Sequence, residues 1–215
     1  DVIREPNITP EHLKSAKLLV NQGRRSIEDD PGELARDHLR RLHAPPPFDR
    51  GAYGCEEVVE AANPEVMLED WANWSGHRGG RVVVAGKLDA ERVVEHLQSE
   101  CQRMTWSNRT LDPLVLEATH DPVKKFVERP LAQVHLVWAW SAPTLHDRHR
   151  AAWQVLSRIL GASGSGRLFY EVRQKRSLCY AVGGGWAPSD DFGRFMVSAG
   201  TTPDRASETV QVVEE

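Results

Sequence analysis

The stretch that decides the reading runs from Gly161 to Trp186, GASGSGRLFYEVRQKRSLCYAVGGGW. Gly161, Gly164 and Gly166 open it, the apolar set Leu168, Phe169, Tyr170 and Val172 predicts a short helix, and Arg173 stands seven residues before Tyr180. A strand is expected next, running into Gly183, Gly184 and Gly185. Glycine accepts positive φ and lets another backbone come close, so two clusters around one helix mark either a pair of tight turns or a surface where main chain meets a ligand. A phosphate loop is excluded, because no Gly-Lys-Ser/Thr ends the run and a helix rather than a strand precedes it.

Working outward toward the N-terminus, His149 to Leu160 predicts a helix burying Ala152, Val155, Leu156, Ile159 and Leu160, and Leu131 to Trp140 predicts a strand. Trp138 and Trp140 fall on one face of that strand, Val137 and Ala139 on the other. Trp106 to Pro130, with prolines at 113, 122 and 130, is the best boundary, with one or two strands inside. Before it, Arg81 to Gly86 predicts a buried strand, and Asp89 caps a helix with Val93, Leu97, Cys101 and Met104 inward. Asn63-Pro64 starts a helix whose Met67, Trp71 and Trp74 share one side, a spacing expected of core. Thr9-Pro10-Glu11 starts a helix to about Gly23 with Leu13, Ala16 and Val20 inward. Asp30-Pro31-Gly32-Glu33 starts another, with Leu34, Ala35, His38, Leu39 and Leu42 as its stripe, and the prolines at 45 to 47 force a loop.

Toward the C-terminus, Phe192 to Ala199 predicts a strand, and Thr202-Pro203 caps a last helix bearing Ala206, Val210 and Val213. Strand, Ala-Gly turn and capped helix occur after both Arg81 and Arg194, a weak internal duplication. The fold class is therefore α+β, built of strand-helix units in two halves.

Composition narrows the functional classes. The 215 residues carry 27% charged and 40% apolar side chains with net charge −4, ordinary globular usage and enough chain for a substantial core. No long basic stripe appears, which argues against nucleic acid as a partner. The longest apolar run, Val134 to Trp140, is broken by His135 and is far too short for a membrane span. Cys55, Cys101 and Cys179 are odd in number and widely spaced, so reduced structural thiols are expected. A first residue of Asp1 rather than Met points to a trimmed or processed chain.

Leu160-Gly161, the Gly/Ser run at Gly164, Ser165 and Gly166, then Arg167-Leu168-Phe169 and Arg173-x6-Tyr180 together resemble the second of the paired domains in pitrilysin- and insulinase-type zinc metallopeptidases, whose relatives include the mitochondrial processing peptidases. The resemblance implies two halves of the family's duplicated α/β-sandwich domains. Residues 1–105 are similar to the second half of the first domain, 106–130 to the connection, and 131–215 to the first half of the second, non-catalytic domain. It also implies that Arg173 and Tyr180 reach toward the other domain's zinc site and bind substrate there, with Gly164 and Gly166 as backbone the substrate approaches.

The family's catalytic signature, an inverted His-x-x-Glu-His with a later Glu as third ligand, is absent. Two histidines at i and i+4 share a helical face and can bind zinc, with the Glu as general base. His38 and His43 are five apart, about 140° around a helix. His146 and His149 are three apart and lack a nearby third ligand in the sequence. On the helix after Thr9, Asn21-Gln22 stands where the third ligand is expected, and a neutral amide is a poor zinc ligand.

Three readings follow. In the first the chain is a non-catalytic, substrate-holding subunit or region, inactive alone, whose partners are peptide and a zinc-bearing homologous subunit or domain; the cofactor is then in that partner or upstream, and none in this chain. In the second it is a fragment of an active zinc endopeptidase whose metal motif lies upstream. In the third it is a structural or interaction subunit, as respiratory-complex core subunits of this family are, with Arg173 and Tyr180 as packing residues.

Overall fold

The computed structural model describes residues 5–75, 82–103, 116, 122–162 and 164–215. Side-chain caps start four of the described helices, the first at Thr9, whose hydroxyl oxygen accepts from the His12 amide at 3.2 Å. Asp30 accepts from the Glu33 amide at 2.9 Å to begin α2 (Pro31–His43), Asn63 accepts from Val66 at 2.9 Å to begin α4 (Pro64–Trp74), and Asp89 accepts from Glu91 and Arg92 to begin α5 (Ala90–Gln102). Each satisfies amides that the first turn of a helix leaves unpaired. α1 (Pro10–Asp29) continues past Gly23, and a short α3 (Glu56–Ala61), absent from the sequence reading, precedes α4.

The chain forms two compact units, one of residues 1–22 and 54–114, the other of 23–53 and 115–215. The regular elements described in the first are all helices, and none of α3, α4 and α5 contains a fully buried residue. Val93, Leu97 and Cys101 are half-buried as expected, while Met104 lies outside the described residues. Three expectations fail here: on α1, Ala16 is exposed rather than inward. Met67, Trp71 and Trp74 are 38–40% exposed rather than core. Val82 to Ala85 forms no strand, and Val83 is 88% exposed. A β-branched run becomes a strand only when a neighbour pairs its N–H and C=O groups, and the sheet found among the described residues belongs wholly to the other unit.

That sheet is antiparallel with order β1-β3-β2: β1 (Val134–Ala142), β2 (Cys179–Pro188) and β3 (Gly193–Thr201). Period-two alternation puts Phe195, Val197 and Ala199 of β3 on one buried face with Leu136 and Trp138 of β1. The other face carries His135, Ser198 and Gly200, and α2 packs on β1. α6 (Arg150–Gly161) lies along β2 and α7 (Ala206–Glu214) closes the core, with a 3-10 turn at Pro203–Arg205 leading into it. On α6 the expected burial is overturned: Ala152, Val155, Leu156 and Ile159 are exposed, and Leu160 is half-buried. The helix touches β2 along a narrow line instead, where Ser157 Oγ accepts from the Trp186 amide at 2.7 Å. Of the duplicated unit, the copy after Arg194 is a strand followed by a helix; the other has α5 without a strand.

Candidate functional site

Val172 is the fixed point of the Arg173–Tyr180 segment. It is fully buried with Leu178, Cys179, Val182 and Ala199, enclosed by Leu136, Trp138, Leu168, Phe169, Val212 and Val213. It sits in a π-helical turn, Phe169–Gln174, of the kind found often at functional sites. With Val172 inward, its neighbour Arg173 faces solvent, and its guanidinium carbon lies 5.1 Å from the centroid of the Phe169 ring. The turn ends at Ser177, which adopts the left-handed conformation at φ 53°, while the Leu178 amide donates back to the Val172 carbonyl at 2.9 Å. Arg205 Nη1 donates to the Ser177 carbonyl at 2.6 Å, and the buried Thr201 hydroxyl donates to the Leu178 carbonyl at 2.5 Å. Ser177 and Leu178, which lead into β2, are thereby held from both sides of the turn.

Tyr180 then falls at a bulge. The ladder passes from Cys179 opposite Thr201 to Ala181 opposite Gly200, so Tyr180 is the extra residue, and it is 46% exposed. Arg173 lies near this end of β2: burial pushes the Cys179 thiol above its ordinary range, and the Arg173 charge draws it partly back. The one acid on the turn, Glu171, is engaged by Arg176 and by Lys175 at 3.0 Å; these hydrogen bonds hold its carboxyl below the ordinary range, and Arg173 has no ion-pair partner among the described residues. Among the described residues no hydrogen bond joins Arg173 to Tyr180, and neither side chain has a hydrogen-bond partner. A guanidinium and a phenol with free N–H and O–H groups are donors suited to a carbonyl or an oxyanion.

The glycines divide in use. Gly164 has φ 82° and no described atom within 4 Å of where a Cβ would stand, whereas a side chain on Gly166 would meet the Ala162 amide at 2.6 Å. Between the clusters, a Cβ on Gly161 would lie 1.8 Å from the Gly184 carbonyl oxygen, so the end of α6 and β2 approach as bare backbone. Gly183, Gly184 and Gly185 with Arg36, Met196 and Ser198 line a shallow cleft of about 200 Å³.

The histidine pairs do not converge. His38 Nδ1 is 3.2 Å from Lys125 Nζ, His146 Nε2 is 3.0 Å from Asp190, and His149 Nε2 accepts from Arg148 at 2.9 Å. Asn21 donates to Glu60 at 3.1 Å. Among the described residues no group of three or more His, Cys, Asp or Glu could hold a metal ion, so these residues do not fit a zinc site. His135 is the residue that sequence reasoning passed over: opposite Gly200 in the ladder, it shares the Tyr180 end of the sheet, and its break in the apolar run of β1 was the available signal.

The described residues thus form an α+β fold in which Arg173 and Tyr180 are both exposed near one end of β2. The chain belongs to the M16 peptidase family, whose inactive domain matches residues 81–215. A Streptomyces coelicolor protein described as an uncharacterized zinc protease is 26% identical over 192 residues, covering 86% of this chain and 42% of that protein. The crystal structure of a peptidase M16 inactive domain from Pseudomonas fluorescens superposes with a TM-score of 0.81 at 24% identity, over 99% of this chain and 52% of that one. A chain of complex III2 from Candida albicans reaches 0.66 at 14% identity, over 94% and 49%. The chain thus spans about half the length of the curated relatives it matches.

Proposed function

We propose that this chain is the substrate-holding, non-catalytic part of an M16 zinc metallopeptidase, with Arg173 and Tyr180 donating to a peptide carbonyl or to the oxyanion formed from it. The observation that carries the reading is that both donors are exposed and unpaired among the described residues, while the turn between them is anchored at Ser177 and Leu178. Preorganised donors of this kind act where charge develops and need no reorganisation as it does. The zinc-bearing His-x-x-Glu-His belongs to a homologous domain, whether a separate subunit or an upstream part of the same polypeptide.

The test is peptide hydrolysis by the chain combined with a His-x-x-Glu-His homologue. Tyr180→Phe or Arg173→Ala is expected to lower kcat/KM by about 10²- to 10³-fold, the usual effect of removing one oxyanion donor. Full activity of the double variant would leave the pair as packing residues and favour a structural subunit, a role for which the likeness to a respiratory-complex chain is the supporting observation.

A further inference from the structure

We propose that Gly200 is a positioning residue for Tyr180, its bare backbone serving as the seat on which the phenol ring lies; the inference rests on the reading of Tyr180 as a substrate-holding group. A Cβ built on Gly200 would stand 2.3 Å from the Tyr180 hydroxyl oxygen, 2.4 Å from Cζ and 2.7 Å from Cε1. Those are its three nearest atoms, and all belong to one side chain. The φ of Gly200 is not positive, so the backbone there does not demand glycine. What requires glycine is the ring.

The bulge explains how the ring arrives. Regular alternation would place residue 180 on the face opposite Cys179 at an ordinary ladder position. The extra residue shifts Ala181 into register with Gly200, and the Tyr180 side chain swings across β3 instead. Across the next ladder, His135 pairs with Gly200 and so stands on the same face, roughly 5 Å from the missing side chain. A Cβ on Gly32 at the start of α2 would lie 3.3 Å from His135 Nδ1. The phenol is thus laid between its own strand and an imidazole that α2 backs, with the hydroxyl end over Gly200. A side chain held in this way forfeits less rotamer freedom when it donates to substrate than one free in solvent.

A methyl group on Gly200 would evict the ring. Because Tyr180 is exposed and can rotate outward, Gly200→Ala is expected to fold while displacing the hydroxyl. A misplacement of about 1 Å lowers rates on the order of 100-fold, so kcat/KM for peptide hydrolysis in the reconstituted complex should drop by about that factor, chiefly in kcat. In a Tyr180→Ala background the same substitution should have no further effect on kcat/KM. It should also raise the melting temperature of the chain more there than in the wild type, since alanine suits a strand better than glycine once the ring is gone.

The two ideas fail separately. Equal effects of Gly200→Ala with and without Tyr180, on activity and on melting temperature, overturn the seat. So does failure of both the single and the double variant to fold, because the obstruction would then not be Tyr180. A double variant that folds where Gly200→Ala alone does not would support it. If Tyr180→Phe leaves hydrolysis intact while the melting temperatures remain coupled, the seat stands and the substrate-holding reading falls.

Discussion

Arg173 and Tyr180 owe their exposure to neighbours that are buried. Val172 and Cys179, each one position earlier, are buried in the same core, so the side chains that follow them are turned out. Val172 is therefore a test of how far the site depends on that core. Val172→Ala should destabilise the chain by about 2 kcal/mol through lost burial and the cavity left behind, measured by urea unfolding. Its activity in the complex should follow the folded fraction. A loss of activity in fully folded protein would mean that Val172 also sets the angle of the π-helical turn. The motif of seven-residue spacing was legible in the sequence; its arrangement, buried residue then exposed Arg, ordered turn, buried residue then exposed Tyr, was not, because it depends on contacts with β1 and α7.

At the scale of elements, α2 shows how a helix with an ordinary amphipathic stripe becomes pH-sensitive. Burial holds both of its histidines below the ordinary imidazole value, assisted by the charge of Lys125 at His38 and of Arg194 at His43. His43 Nδ1 and Arg194 Nη1 are buried without a hydrogen-bond partner among the described residues. The unfolded chain takes up protons at the ordinary value near 6.5, the folded chain only at lower pH. The stability these groups contribute is thus complete above about pH 6.5 and is lost as pH falls through that value toward the depressed ones. The urea midpoint is expected to fall between about pH 7.5 and about pH 5.5, and His43→Gln should reduce the difference. A midpoint unchanged over that interval would mean that neither histidine is shielded in solution.

Over the whole molecule, burial is unevenly distributed. Every second residue of β3 is buried and its last three are buried consecutively, while α3, α4 and α5 bury none fully. Local opening needs little energy where few apolar contacts are broken. Amide hydrogen exchange should be slowest in Gly193–Thr201 and fastest in Glu56–Ala61 and Pro64–Trp74; equal protection would show that the helices are as firmly held as the sheet. The same contrast separates what the chain order determined from what it did not. Helix starts at Asp30, Asn63 and Asp89 were readable because a cap acts on amides two or three residues away, and the Arg-x6-Tyr motif was readable because it is contiguous. Val82–Ala85 and Gly193–Thr201 look alike as sequence, yet only the second is a strand, because pairing needs partners far along the chain. The bare stripe of α6, the bulge at Tyr180 and the meeting of Tyr180 with Gly200 were likewise decided by tertiary structure, since each depends on ladder register and on which faces come together, quantities that no local window contains.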